Sequence, residues 1–225
     1  MLYAALTTAL DGGIGVARDA LEAENLRENT LVFFLSDNGG RKDGADNRPL
    51  RGFKGMLHEG GIRAPFAVSW PARLAARQRY DQPVSALDIL PAALAAAGAV
   101  RTSARSLDGV NLLPYLGGRA RSAPHGALFW RAAGGRGYAV RRGRCKPVKD
   151  IPTERPQLFD LGRDIRGSRG LAPREPKLTT ALAALYENWN AGLEKPRWTE
   201  NHAANIEGDY RALREARSKA LPPGK

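Results

Sequence analysis

Residues 31–63 constrain this chain more than any other stretch. Residues 31–35, LVFFL, are five consecutive apolar residues with β-favouring Val32, Phe33 and Phe34 at their centre. A short apolar block closed by Gly39 and Gly40 predicts a strand buried on both faces of a parallel sheet. Ser36, Asp37 and Asn38 then fall at its carboxyl end, where open α/β sheets place their ligands. An acid and an amide followed by two glycines form half of an oxygen-donor metal site. The same Asp-Asn-Gly-Gly run is also ordinary turn chemistry, and alone it reads as a turn.

The second half of the stretch shifts that balance. Lys54 stands between Gly52 and Gly55, so the backbone can approach closely while one ammonium points at an anion. Glu59-Gly60-Gly61-Ile62-Arg63 follows, with opposite charges around a glycine pair. In order and spacing, S-D-N-G-G, then L-R-G-F-K-G, then E-G-G-I-R-A-P resembles the second signature of the type I sulfatases of the alkaline-phosphatase-like superfamily. The resemblance implies an α/β fold. It would comprise part of an alkaline-phosphatase-like sheet with flanking helices, and a small C-terminal antiparallel sheet packed on a helix.

At 225 residues the chain is long enough for one or two domains with a sizeable core. The single Cys145 excludes an internal disulfide, so cysteine usage says nothing about compartment. The opening MLYAALTTAL has no basic region and only a short apolar run, which reads as neither a signal peptide nor a membrane span. The resemblance leaves localisation open, since sulfatases are often periplasmic, secreted or lysosomal. Net charge is +12, from 35 Lys+Arg against 23 Asp+Glu. Such a balance invites a nucleic-acid reading, yet its densest part, residues 131–149, has no helix-turn-helix, zinc-finger or RNP pattern. A solvated strand face, or attraction of an anionic substrate, explains the charge, and no specific nucleic-acid partner is expected.

Leu2, Leu6, Leu10 and Ile14 recur every four residues, predicting an amphipathic helix over 2–24 that Gly12 and Gly13 weaken. Residues 65–70, PFAVSW, read as a strand ended by Pro71. Residues 83–98 read as a helix interrupted or restarted at Pro91 and closed by Gly98. Residues 127–131, 138–148 and 157–161 read as three strands, and 178–193 as a helix with Leu182, Leu185 and Trp189 on one side. With the resemblance, these place the C-terminal part of a sulfatase catalytic domain at 1–124. A small α+β subdomain follows at 125–198 and a polar tail at 199–225.

Carried over by position, the resemblance makes Asp37 and Asn38 metal ligands for calcium, with magnesium as the alternative ion. Lys54 becomes the contact to sulfate oxygens. Arg51 and Arg63 read as loop braces, Glu59 and Arg63 as an internal ion pair, and His58 and His125 as structural residues; His202 has no evident partner. Cys145 lies in Arg-Cys-Lys-Pro rather than C-x-P-S-R, so it is not the formylglycine precursor that the family uses as nucleophile. No catalytic residue is assigned, because the nucleophile segment, the paired N-terminal aspartates and an upstream Lys/His pair have no counterpart here. One carboxylate and one amide fall short of the ~6–8 oxygens that calcium takes. The expectation is therefore the C-terminal part of a sulfuric-ester hydrolase, inactive alone, whose complement is an N-terminal sulfatase half. A phosphodiester or phosphonate-ester hydrolase of the same superfamily, or a non-catalytic fragment needing a partner chain, are the alternatives.

Overall fold

The structure is a computed structural model that describes residues 2–99, 106–132, 135, 137–150 and 155–196. The tail expected at 199–225, with His202, lies outside the described residues. In chain order the elements are α1 (Leu2–Ala23), β1 (Val32–Leu35), α2 (Glu59–Ile62), β2 (Phe66–Ser69), α3 (Ile89–Ala96), α4 (Leu113–Leu116), β3 (Leu128–Arg131), β4 (Tyr138–Arg141), β5 (Cys145–Lys149), β6 (Gln157–Asp160) and α5 (Pro176–Ala191). They divide into two units that alternate along the sequence: Met1–Asp37 with Ala64–Gly126, and Asn38–Arg63 with Ala127–Lys225.

In the first unit, α1 forms where the four-residue periodicity places it, but its apolar stripe stays in solvent. Leu2, Leu6, Leu10 and Ile14 are all exposed, and no residue of the helix is buried. Asn25 ends it with φ +56, a left-handed conformation that asparagine tolerates. Strand β1 departs from expectation. It pairs antiparallel with β2, Val32 opposite Ser69 and Leu35 opposite Phe66, in a two-stranded sheet. Its residues alternate between exposed and half-buried because nothing among the described residues covers its outer face. An apolar run therefore made a strand without making a parallel, doubly buried one.

The region before Pro91 is built by capping. Ser85 Oγ accepts from Leu87 N–H, while Asp88 accepts from Ser85 N–H at 2.8 Å. Helix α3 begins at Ile89, so Pro91 sits in the first turn, where its missing donor costs nothing. Gly98, at φ +62, closes it. Asp88 is fully buried and also accepts from Val110 N–H at 2.9 Å and meets His125 Nε2 at 2.9 Å. His125 is thus a structural partner of a buried carboxylate.

The second unit is an antiparallel sheet in the order β3-β4-β5-β6, with α5 on one face. Alternation sorts its side chains. Tyr138 and Val140 face Leu185, Tyr186 and Trp189 of α5, with Tyr138 stacked on Tyr186 at 4.3 Å and Phe129 on Trp189 at 5.0 Å. Ala139, Val148 and Phe159 face the other way and pack with Leu57 and Ile62. Residues 138–148 are two strands, not the single strand expected. Gly143, at φ +57, turns the chain, and Arg142 and Cys145 exchange backbone hydrogen bonds of 3.0 and 3.1 Å across it. Pro147 lies in β5, an inner strand. The recorded β4–β5 register stops at Ala139↔Val148, so the proline faces the position opposite Val140 where a rung is missing, while it keeps its place opposite Leu158 of β6.

Candidate functional site

Backbone hydrogen bonds hold the residues after β1. Ser36 N–H donates to Pro65 O at 3.1 Å, which fixes the exit from the first unit, and Asp37 follows it on the surface. The second unit opens with Asn38, half-buried, and Gly39, whose N–H donates to Gly61 O at 2.8 Å. A Cβ on Gly39 would lie 1.8 Å from Gly60 O, and one on Gly60 would lie 2.2 Å from Gly52 O. These glycines are required for three backbone segments to touch, which is a stronger constraint than a sharp turn.

Lys54 sits at the exposed tip of the loop that leaves this junction. Its own N–H donates to Gly40 O at 3.0 Å. Asn47 clamps both sides. Its Oδ1 accepts from Gly40 N–H at 3.0 Å, and its Nδ2 donates to Gly40 O at 2.9 Å and to Gly52 O at 3.3 Å. Gly52 and Gly55, at φ +89 and +93, supply the backbone conformation around the lysine. The loop thus holds the Lys54 backbone against Gly40, with the ammonium left to solvent.

Behind the loop lies a buried charge cluster in the second unit. Glu59 Oε1 accepts from Lys146 Nζ at 2.6 Å, and Oε2 meets Arg141 Nη1 at 3.3 Å and Arg63 Nη1 at 3.4 Å. Lys146 is only 1% exposed and lies over the Trp130 ring at 5.5 Å. Burial alone would raise the Glu59 pKa. Lys146 first, then Arg141 and Arg63, hold it below the usual carboxylate value. The ion pair expected between Glu59 and Arg63 is present, but it is the weakest arm of the cluster. The Lys146 and Arg141 arms lie about eighty residues away, so local motif reading missed them. The available signal was a lysine beside Pro147-Val148 in an apolar strand.

Two neighbours complete the support. Arg51 Nη1 donates to Gln157 Oε1 at 3.2 Å and Gly167 O at 3.3 Å, and its guanidinium covers the Phe159 ring, so it braces the loop as expected. His58 packs edge-on against Phe159 and approaches Asp150 Oδ2 at 3.3 Å, while Asp150 Oδ1 accepts from Leu57 N–H at 3.1 Å. Burial above all, then Arg51 and Lys146, keeps the His58 pKa well below its ordinary range. The contact with Asp150 is charged only when the ring is protonated, which burial opposes.

The model of the sulfatase family matches residues 2–99. Arylsulfatase H of Homo sapiens is 33% identical over 78% of this chain and 38% of its own length. Steryl-sulfatase of Mus musculus is 32% identical over 78% of this chain and 34% of its own. The crystal structure of Ps i-CgsB in complex with k-i-k-neocarrahexaose overlays with a TM-score of 0.78 at 31% identity, across 91% of this chain and 46% of that one. The chain belongs to the sulfatase family. It spans only about a third to two-fifths of the length of those two curated relatives.

As a sulfatase chain, it offers metal-type oxygen donors that suit calcium in kind but not in number. Asp37 and Asn38 supply one carboxylate and one amide, and no group of three or more His, Cys, Asp or Glu gathers among the described residues. Cys145 lies in β5 as a free thiol beside the buried Lys146. No helix among the described residues is long and apolar enough to cross a membrane.

Proposed function

We propose that this chain is the C-terminal part of a sulfuric-ester hydrolase of the calcium-dependent, formylglycine type. Asp37 and Asn38 serve as two ligands of the ion, and Lys54 as the sulfate contact. The observation that carries the reading is the ordered signature itself, folded into a loop in which glycine contacts and the Asn47 clamp fix the backbone around Lys54. An ammonium at a fixed loop tip neutralises charge on a transferring sulfuryl group, which is the electrostatic share of such a reaction. The chain supplies no bond-forming atom of its own, so turnover depends on residues outside it. The exposed α1 stripe of Leu2, Leu6 and Leu10, with Phe34 of β1, supports a further segment or partner carrying the N-terminal half.

The test is co-expression with an N-terminal sulfatase half that carries C-x-P-S-R, assayed on an aryl sulfate and an aryl phosphodiester in parallel. The expected outcome is no turnover by this chain alone and calcium-dependent sulfate-ester hydrolysis by the pair. Lys54→Ala should lower kcat/KM of the pair by about a hundredfold, on the scale of losing one preorganised charge stabiliser. Sulfate-ester turnover by the isolated chain, lost on Lys54→Ala, would overturn the reading. Faster hydrolysis of the phosphodiester by the pair would move the substrate class to phosphoesters.

A further inference from the structure

A cleft of about 620 Å³ opens in the first unit along β2. Its size suits a drug-sized organic molecule. Phe66, Trp70, Leu74, Leu112, Tyr115 and Leu116 give it apolar walls. Its charged lining is Arg27, Arg77 and Arg79, with no carboxylate among the lining residues. Asp81 answers Arg79 at 2.7 Å, so Arg27 and Arg77 set the sign of the site.

Three buried polar atoms of this lining have no hydrogen-bond partner among the described residues: Arg27 Nη1, Trp70 Nε1 and Tyr80 Oη. Trp70 is only 8% exposed, and Arg27 already uses Nη2 on Ser69 Oγ at 3.0 Å. Guanidinium and indole N–H groups can only donate, and burial raises the Tyr80 pKa so that its phenol keeps its proton. Buried donors left unmet are costly, and three of them among the lining of one cleft call for an acceptor there. The register of the sheet sets Trp70 just past the Ser69 end of β2, opposite Val32, whereas Asp37 follows the Leu35 end of β1. Trp70 and Asp37 therefore lie past opposite ends of the two-stranded sheet, while the cleft runs along the whole of β2.

We propose that this cleft binds an organic acid, with an apolar ring body between Phe66, Trp70 and Leu112 and an anionic oxygen group accepting from Arg27, Trp70 and Tyr80. A peptide carbonyl would also accept from these donors. The lining of arginines without a carboxylate favours a full negative charge. The inference is independent of the sulfatase chemistry and involves no turnover.

The experiment titrates the full 225-residue chain with 2-naphthoate and with uncharged 2-naphthamide. Binding is read by calorimetry and by the Trp70 indole N–H resonance, assigned by its loss in Trp70→Phe. Expected is saturable binding of naphthoate at one site, a downfield shift of that resonance, and binding of the amide at least about tenfold weaker. Tyr80→Phe and Trp70→Phe should each weaken naphthoate by about three- to tenfold, the worth of one hydrogen bond. Tyr80→Phe should not lower Tm, since it removes a buried unmet hydroxyl and keeps the ring; Trp70→Phe, which trades indole for the smaller phenyl ring at a buried position, is read by binding alone. Absence of saturable binding overturns the proposal, as does undiminished binding by the double variant. Self-association of the chain through this cleft, abolished by the same substitutions, overturns it in favour of a polypeptide occupant.

Discussion

The second unit covers both faces of its sheet, with α5 on one side and Leu57 and Ile62 on the other. In the first unit α1 and the outer face of β1 stay bare. Leu6 is 61% exposed and Phe34 is 45% exposed, although their spacing is what a core helix and a core strand would show. Hydrophobic periodicity identifies the surface that gains from burial, not the surface that has a partner in hand. Propensity decides the local shape of α1 and β1, whereas tertiary contact decides that of β4 and β5.

Hydrogen exchange on the whole chain tests this contrast most severely. Amides of β4, β5 and β6 should exchange about a thousandfold more slowly than those of α1, because local opening of an uncovered helix breaks no core. Equal protection of α1 would erase the distinction. Next in size is Lys146→Met, which leaves Glu59 buried with only its weaker arginine arms. A loss of about 3–5 kcal/mol in denaturant unfolding is expected. Leu182→Ala, at a 2% exposed position, should cost about 2–5 kcal/mol, while Leu10→Ala in α1 should change stability by less than about 0.5 kcal/mol. A large cost at Leu10 would show that α1 is covered in solution.

The subtlest effect to read is a pH dependence carried by the second unit. His58 has a folded pKa well below 6.5, so between 6.5 and that folded value the unfolded chain binds a proton that the folded chain does not. Stability is therefore full above about pH 6.5 and falls as pH drops, by up to about 1.4 kcal/mol per pH unit. Glu59, also lowered, adds a second loss once pH falls below 4.5. His58→Phe should flatten the first slope and leave the second, as read from urea midpoints across pH.

Much of the fold was legible in the chain itself. The strands near 31–35, 66–69, 128–131 and 157–160 and the helix at 176–191 follow from period and composition, as does the sulfatase relationship from its motifs. Pairing partners were not legible, because an apolar run such as VFFL carries no mark of parallel or antiparallel neighbours. The break at Gly143 sits between Arg142 and Arg144, and that one glycine sufficed to turn the chain. The motif residues around Lys54 were readable as chemistry. Their support was not, since Glu59 finds Lys146 only once the sheet has formed. Gly39 and Gly60 are points where a methyl group has no room.

The acid at position 59 has a consequence for anyone cutting or recombining this sequence. Its strongest counterions arrive from Arg141 and Lys146, within a hairpin that a shortened gene would discard. Ending the polypeptide ahead of that hairpin would abandon an anion in oil and unfasten the signature turn from beneath. The two stretches must be inherited together, or replaced together by neutral residues of matching volume.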